Sequence, residues 1–302
     1  MTRSSSPANG LLFALASASL YGFNIVYARI ASFAGASGSA IVVYRVFLML
    51  VLVGIVAAVT RSSLKAAREE RGTLLLLGVS TAFVGLCYLS SVAFIPVTVA
   101  AVVFYTFPIL IVLASPFVEG TRLTPALLGV VALATLGVAL VVGPAFGVLD
   151  WRGLALAFAA SIATAIQFFA AARCCRTGII AKTFWIHLLV FPTAALISLA
   201  AGQLAPPSAL ALAPFAVAMT IGGYIIGFVL QFVALGRITA VAAGIIYCAE
   251  PVVAALSSAL ILNETLAPLQ VAGGALVLTA IIAKVLLDQR HLKDAPLVPI
   301  AD

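Results

Sequence analysis

The chain reads as long apolar runs separated by short polar connections. Ten runs approach or exceed the ~20 residues a helix needs to cross a bilayer, and their expected limits are 10–32, 38–60, 72–94, 97–118, 124–143, 152–172, 181–202, 209–233, 239–260 and 268–287. None shows the two-residue alternation of a barrel strand. Most connections carry glycine, proline or serine, as in Ala34-Gly35-Ala36-Ser37-Gly38 and Ala205-Pro206-Pro207-Ser208. The pattern predicts an all-α membrane protein with ten transmembrane helices. The segment before the first run, Met1 to Asn9, is short and polar, and that run is long enough to stay as a helix. No cleaved leader is expected.

Shifting the chain by 143 residues superposes its halves. Gly10 falls on Gly153, Ala14 on Ala157, Asn24 on Gln167, Ile95 on Ile238, Pro108 on Pro251 and Pro125 on Pro268. A single shift without gaps predicts two five-helix repeats over residues 1–145 and 146–290, with a tail at 291–302. A repeat with an odd number of spans enters the membrane the opposite way the second time. The halves are then an inverted pair, an architecture of secondary transporters that bind substrate near the midplane between the repeats.

Charge sets the orientation. Arg61, Lys65, Arg68, Arg71, Arg122, Arg173, Arg176, Lys182 and Arg237 all fall on one side if there are ten spans. Arg3, Lys284, Arg290 and Lys293 join them at the ends of the chain, and the other side has only Arg152 with Arg29 near a span end. The positive-inside rule places that basic side, and both termini, in the cytoplasm. Composition agrees with the membrane reading: 64% of residues are hydrophobic, 8% are charged and the mean hydropathy is +1.27. The net charge of +7 is therefore read as orientation, with lipid rather than nucleic acid as the partner. Cys87, Cys174, Cys175 and Cys248 have no metal-ligand spacing, and neither metal nor cofactor is expected.

Candidate chemistry centres on Glu250-Pro251, in the middle of the ninth run. A charge at that depth costs at least ~2.5 kcal/mol on insertion scales and usually marks a wet cavity or a bundle interior. Pro251 lacks an N–H and frees the carbonyl of Tyr247. Pro108 occupies the matching place in the fourth run, and paired interruptions of this kind point to a transport site, with Pro108 and Pro251 as gating positions. Tyr247 lies one turn before Glu250, where a ring and a carboxylate together suit an ammonium group. Glu250 is alternatively a proton carrier, or a structural acid paired with Arg45 or His187. Ser17, Tyr21 and Asn24 share one helical face, as do Ser161, Thr164 and Gln167, and these stripes are expected to face each other across the pseudo-axis. They line a cavity or join helices. Arg45 reads either as a carboxylate or phosphate anchor or as a side chain snorkelling outward. His187 reads as shallow and structural, Glu119 and Glu264 as loop acids near helix starts. Tyr88, Tyr105, Tyr224 and Gln231 complete the lining candidates. Gly129, Gly137 and Gly273 suit close helix contacts within or between chains.

This pattern resembles the EamA family of the drug/metabolite transporter superfamily. The resemblance rests on Pro251, then Asn263-Glu264-Thr265-Leu266, then Gly273-Gly274, and on Pro108, then Glu119-Gly120-Thr121-Arg122-Leu123-Thr124-Pro125, then Gly129 and Gly137. The copies differ: Thr121 stands where Glu264 stands in the second. Glu250-Pro251 also resembles the Glu-Pro of amino-acid-exporting branches. The resemblance implies a carrier of the inner membrane, monomeric or homodimeric, with a central cavity lined by both repeats. It would export amino acids, including aromatic or other apolar ones, and related metabolites by alternating access. The ammonium would meet Glu250 and Tyr247, the carboxylate Asn24, Gln167 or freed backbone N–H groups. A sugar-phosphate or nucleotide-sugar carrier is the alternative within the superfamily, but Glu250 would repel its ligand. An intramembrane enzyme is a weaker one: Gly35-Ala36-Ser37-Gly38 matches the rhomboid Gly-x-Ser-Gly, yet nothing pairs Ser37 with His187. A membrane scaffold without transport is disfavoured by the mid-membrane acid.

Overall fold

The computed structural model describes residues 7–143 and 149–294. The expected boundary between the halves at 145–146, and residues 295–302 of the expected tail, lie outside the described residues. The helices are α1 (Pro7–Phe33), α2 (Gly38–Val59), α3 (Arg71–Ser91), α4 (Val97–Phe104), α5 (Phe107–Val118), α6 (Pro125–Val142), α7 (Trp151–Arg173), α8 (Ile179–Ala200), α9 (Pro214–Leu235), α10 (Ala240–Tyr247), α11 (Ala249–Leu262) and α12 (Pro268–Asp294). The pairs α4/α5 and α10/α11 are each one broken span, so ten spans of membrane-crossing length result.

Local chemistry explains the ends. Ser37, Thr124, Asp150 and Thr239 accept from backbone N–H groups in the first turns of α2, α6, α7 and α10. These are the short polar side chains that cap helix starts. Gly120 and Asn263, equivalent under the 143-residue shift, both take left-handed conformations, with φ of 70° and 54°, just past α5 and α11. The eighth span starts at Pro214 rather than near 209. A short 3-10 turn covers Pro207–Leu212, where the surrounding prolines lack the N–H that an earlier helix would need. The last helix runs past the expected 287 to Asp294.

The halves interleave. The dominant partners of α1 are α9 and α11, and α7 packs mainly on α3, with α4 and α5 beside it. α6 packs on α12, and α2 on α8. Exchanging the repeats turns α1 on α9 into α7 on α3, so the arrangement maps onto itself. The same exchange holds at residue level. A Cβ on Gly10 would lie 2.7 Å from Ile238, and one on Gly153 would lie 2.8 Å from Ile95. Each half presents a glycine to the isoleucine of the other.

Lipid offers no hydrophobic force between helices, so close contact must come from small residues. The α6–α12 crossing shows this. A Cβ on Gly137 would meet the Gly273 carbonyl at 2.8 Å, and one on Gly273 would meet the Gly137 carbonyl at 2.6 Å. Gly129 has nothing within 4 Å of its Cβ position. Gly137 and Gly273 therefore serve a crossing within the chain. Gly273→Ala should lower stability in detergent by about 1–3 kcal/mol, as overpacking does. Gly129→Ala should be neutral or mildly stabilising, and thermal melting of the two variants checks the contrast.

Candidate functional site

The fourth and ninth spans break where their prolines require it. α4 ends at Phe104 and α10 at Tyr247, each four residues before Pro108 or Pro251. The proline ring clashes with that carbonyl and brings no N–H to it, so the helix stops and restarts. The expected interruption is therefore a full break, and each proline sits in the first turn of the second segment. Under the repeat shift Phe107 occupies the place of Glu250. The acid belongs to one half only.

Glu250 lies deep in the bundle, enclosed on every side, yet its side chain keeps accessible surface. Tyr21, Tyr88, Tyr224 and Arg45 combine depth and accessible surface in the same way. These groups lie deep in the bundle without being fully covered. The Tyr105 hydroxyl approaches the Glu250 carboxyl, and Tyr88, Tyr247 and Tyr21 lie within its electrostatic range. Among the described residues Glu250 has no ion pair. Neither Arg45 nor His187 neutralises it.

The other candidates divide between halves. Tyr247 is buried, donates to Ser17 Oγ at 2.6 Å, and sets its ring edge-on to Phe168. Tyr21 donates to Gln231 Oε1 at 2.9 Å, and its ring centroid is 6.2 Å from that of Tyr247. Ser17 donates to the Gly227 carbonyl at 2.6 Å, and Asn24 to the Thr220 carbonyl. The whole α1 stripe is thus bonded to α9. The α7 stripe goes elsewhere. Ser161 bonds Thr106 at 2.9 Å, Gln167 donates to Thr81 Oγ1 at 2.8 Å, and Thr164 returns its hydroxyl to Ala160 of its own helix. The stripes do not bond to each other; each ties its helix to the opposite repeat. Tyr88, Phe104, Tyr105 and Phe107 form a chain of ring contacts beside Glu250.

The sequence understated Arg45 and His187. Arg45 does not snorkel. Its guanidinium lies 4.4 Å over the Tyr224 ring, with a long 3.4 Å contact to Asn24 Oδ1. His187 is fully buried. Its Nδ1 faces the Thr183 carbonyl at 2.9 Å, which can only accept, so Nδ1 carries the proton. Nε2 then accepts from the Tyr224 hydroxyl at 2.9 Å. The spacing of His187 and Tyr224 on different helices left no trace in sequence.

The EamA-like transporter family matches residues 8–143 and 151–285, one copy over each half. The chain belongs to this family. No curated protein sequence matches it. A solved structure titled only "Crystal structure of protein" is 22% identical, covers 94% of this chain and 99% of its own, and superposes with a TM-score of 0.77. At that identity the likeness concerns the fold.

In this EamA-like transporter the pseudo-symmetry fails at one seam. On the basic face α5 packs on α10: a Cβ on Gly244 would lie 3.0 Å from Ile111, and Glu119 Oε1 accepts from the Ala240 N–H at 2.9 Å. Every residue of α10 is buried. Glu119 thus favours the N-terminus of α10, a helix of the other repeat, rather than that of α6. The equivalent pair on the opposite face, α4 and α11, shows no comparable packing, and Val97 is 60% exposed where its counterpart Ala240 is 0%. Near that end Arg29 and Glu264 form a half-exposed ion pair at 2.8 Å. On the basic side of Glu250 the helices are thus packed against each other.

Gly22 sets the position of the acid. A Cβ there would lie 2.7 Å from the Glu250 carbonyl and 3.0 Å from the Ala254 nitrogen. Gly22→Ala should displace α11, lower stability by about 1–3 kcal/mol and depress transport; melting in detergent and flux in proteoliposomes measure both.

Proposed function

We propose that the protein exports amino acids, including aromatic or other apolar ones, and related metabolites across the inner membrane. The observation that carries this reading is Glu250: a carboxylate without an ion pair among the described residues, at a helix break and beside a chain of aromatic rings. An unpaired acid in that setting calls for a cationic ligand, because leaving it bare inside the membrane is costly. Rings beside it favour an ammonium group and an apolar side chain. Within the family, the Glu-Pro pair resembles that of the aromatic amino acid exporter YddG. The basic face is the cytoplasmic one on charge grounds. Its sealed seam then corresponds to a state that receives or releases ligand on the outer side. Exchange of that seam with the α4–α11 seam supplies alternating access, with Pro108 and Pro251 at the breaks where the halves bend.

A sugar-phosphate or nucleotide-sugar carrier gains support from the inward guanidinium of Arg45. It loses more from Glu250, since one guanidinium beside a carboxylate is poor company for several negative charges.

Proteoliposomes loaded with a panel of amino acids, sugar phosphates and nucleotide sugars test the reading, with and without an imposed pH gradient. Amino acids should flow faster than through empty liposomes, and Glu250→Gln should reduce that flux about tenfold or more, as loss of a charge-assisted contact does. Unchanged flux in the variant removes Glu250 from the mechanism, and flux confined to the phosphorylated compounds replaces the amino-acid reading.

A further inference from the structure

The site holds a second unpaired charge. Arg45 comes from α2, in the first repeat, while Glu250 belongs to the second. Among the described residues no carboxylate pairs with Arg45. Its Nε is buried without an acceptor, and among the described residues the 3.4 Å contact to Asn24 is the one hydrogen bond its guanidinium makes. A guanidinium carries five N–H donors in a planar fork, so most of its capacity is idle. The side chain nonetheless keeps accessible surface at depth.

The guanidinium is also held in place. The Tyr224 ring lies beneath it, and the Tyr224 hydroxyl is tied to His187, whose other ring nitrogen is tied to the Thr183 carbonyl. Asn24 bonds the Thr220 carbonyl through Nδ2, which turns its Oδ1 toward Arg45. Such fixing leaves a fork directed in space with no protein acceptor, an arrangement that suits a planar carboxylate. Tyr21 lies within electrostatic range of both Glu250 and Arg45. Arg45 and Glu250 do not neutralise each other.

We propose that Arg45, oriented by Tyr224, His187 and Asn24, is the carboxylate subsite of the chamber, so that the ligand is recognised as a zwitterion with its ammonium toward Glu250. The proposal rests on the amino-acid reading for its ammonium half and goes beyond it for the other. It moves the carboxylate from Gln167 and backbone donors to Arg45. It makes Arg45 the residue that separates an amino acid from its decarboxylated amine.

The test uses purified full-length protein and three probes sharing one side chain: phenylalanine, phenethylamine and 3-phenylpropanoate. Binding is read by thermal stabilisation titrated to an apparent Kd. Wild type should bind phenylalanine most tightly. Arg45→Gln should weaken phenylalanine and 3-phenylpropanoate about tenfold or more and spare phenethylamine; Glu250→Gln should weaken phenylalanine and phenethylamine and spare 3-phenylpropanoate. If Arg45→Gln does not yield folded protein, Arg45→Lys keeps the charge without the fork and should weaken the two carboxylates several-fold with phenethylamine unchanged. Carboxylates bound by Arg45→Gln or Arg45→Lys as tightly as by wild type overturn the proposal. Wild type binding phenethylamine as tightly as phenylalanine also overturns it, and leaves Glu250 standing. Carboxylate binding that depends on Arg45 while Glu250→Gln has no effect upholds the Arg45 subsite and sinks the role of Glu250. Wild type binding none of the three overturns both.

Discussion

Inside lipid no water is at hand, so every polar group must find its partner within the bundle. That constraint orders most of the structure. The hydroxyls of Thr81, Thr164, Thr220 and Ser257 return to carbonyls of their own helices. Ser17, Tyr21, Asn24 and Gln167 reach across to the other repeat. Against this background two charges stand apart. Glu250 and Arg45 each lie deep, each keep accessible surface, and neither has an oppositely charged partner among the described residues. Where nearly all else is satisfied, unsatisfied charge marks the place left for something outside the chain.

The same constraint shapes the packing. Helices that gain nothing from expelling water must gain from contact, and contact at backbone distance needs glycine. Gly10, Gly22, Gly137, Gly153 and Gly273 all sit where a Cβ would fall under 3.0 Å from a neighbour. All of these crossings join the two repeats, and the 143-residue shift exchanges the Gly10–Ile238 contact with the Gly153–Ile95 one. The interleaving makes the repeats one body, and the broken spans α4/α5 and α10/α11 are where that body can rearrange. Only one of the two equivalent seams is packed, which gives a symmetric design a direction.

Much of this was legible in the chain. Ten spans followed from run lengths alone, and nine of the ten expected starts lie within a few residues of the observed ones. The late start of the eighth at Pro214 came from prolines, which an apolar run does not register. The repeat was visible because one undisturbed shift aligned glycines, amides and prolines, and Gly10 and Gly153 turn out to share equivalent surroundings. The breaks were announced by Pro108 and Pro251, since a missing N–H acts on its own helix. Less legible was how the polar stripes are used. Period and spacing show that Ser17, Tyr21 and Asn24 share a face, but not that α9 meets it.

The sequence by itself determined the span number, the doubling of the five-helix unit, the two breaks and the acid at mid-depth. Each of these is written in local composition, length or self-similarity, and needs no knowledge of neighbours. The tertiary structure alone decided that Arg45 turns inward onto Tyr224, that His187 holds Tyr224 from a third helix, and that α5 and α10 close the basic face. Those are relations between helices far apart in the chain, settled by which side chains fit together when the repeats interlock. A side chain's hydrogen-bonding capacity can be read from its letter; whether a partner is there to meet it depends on how the bundle packs.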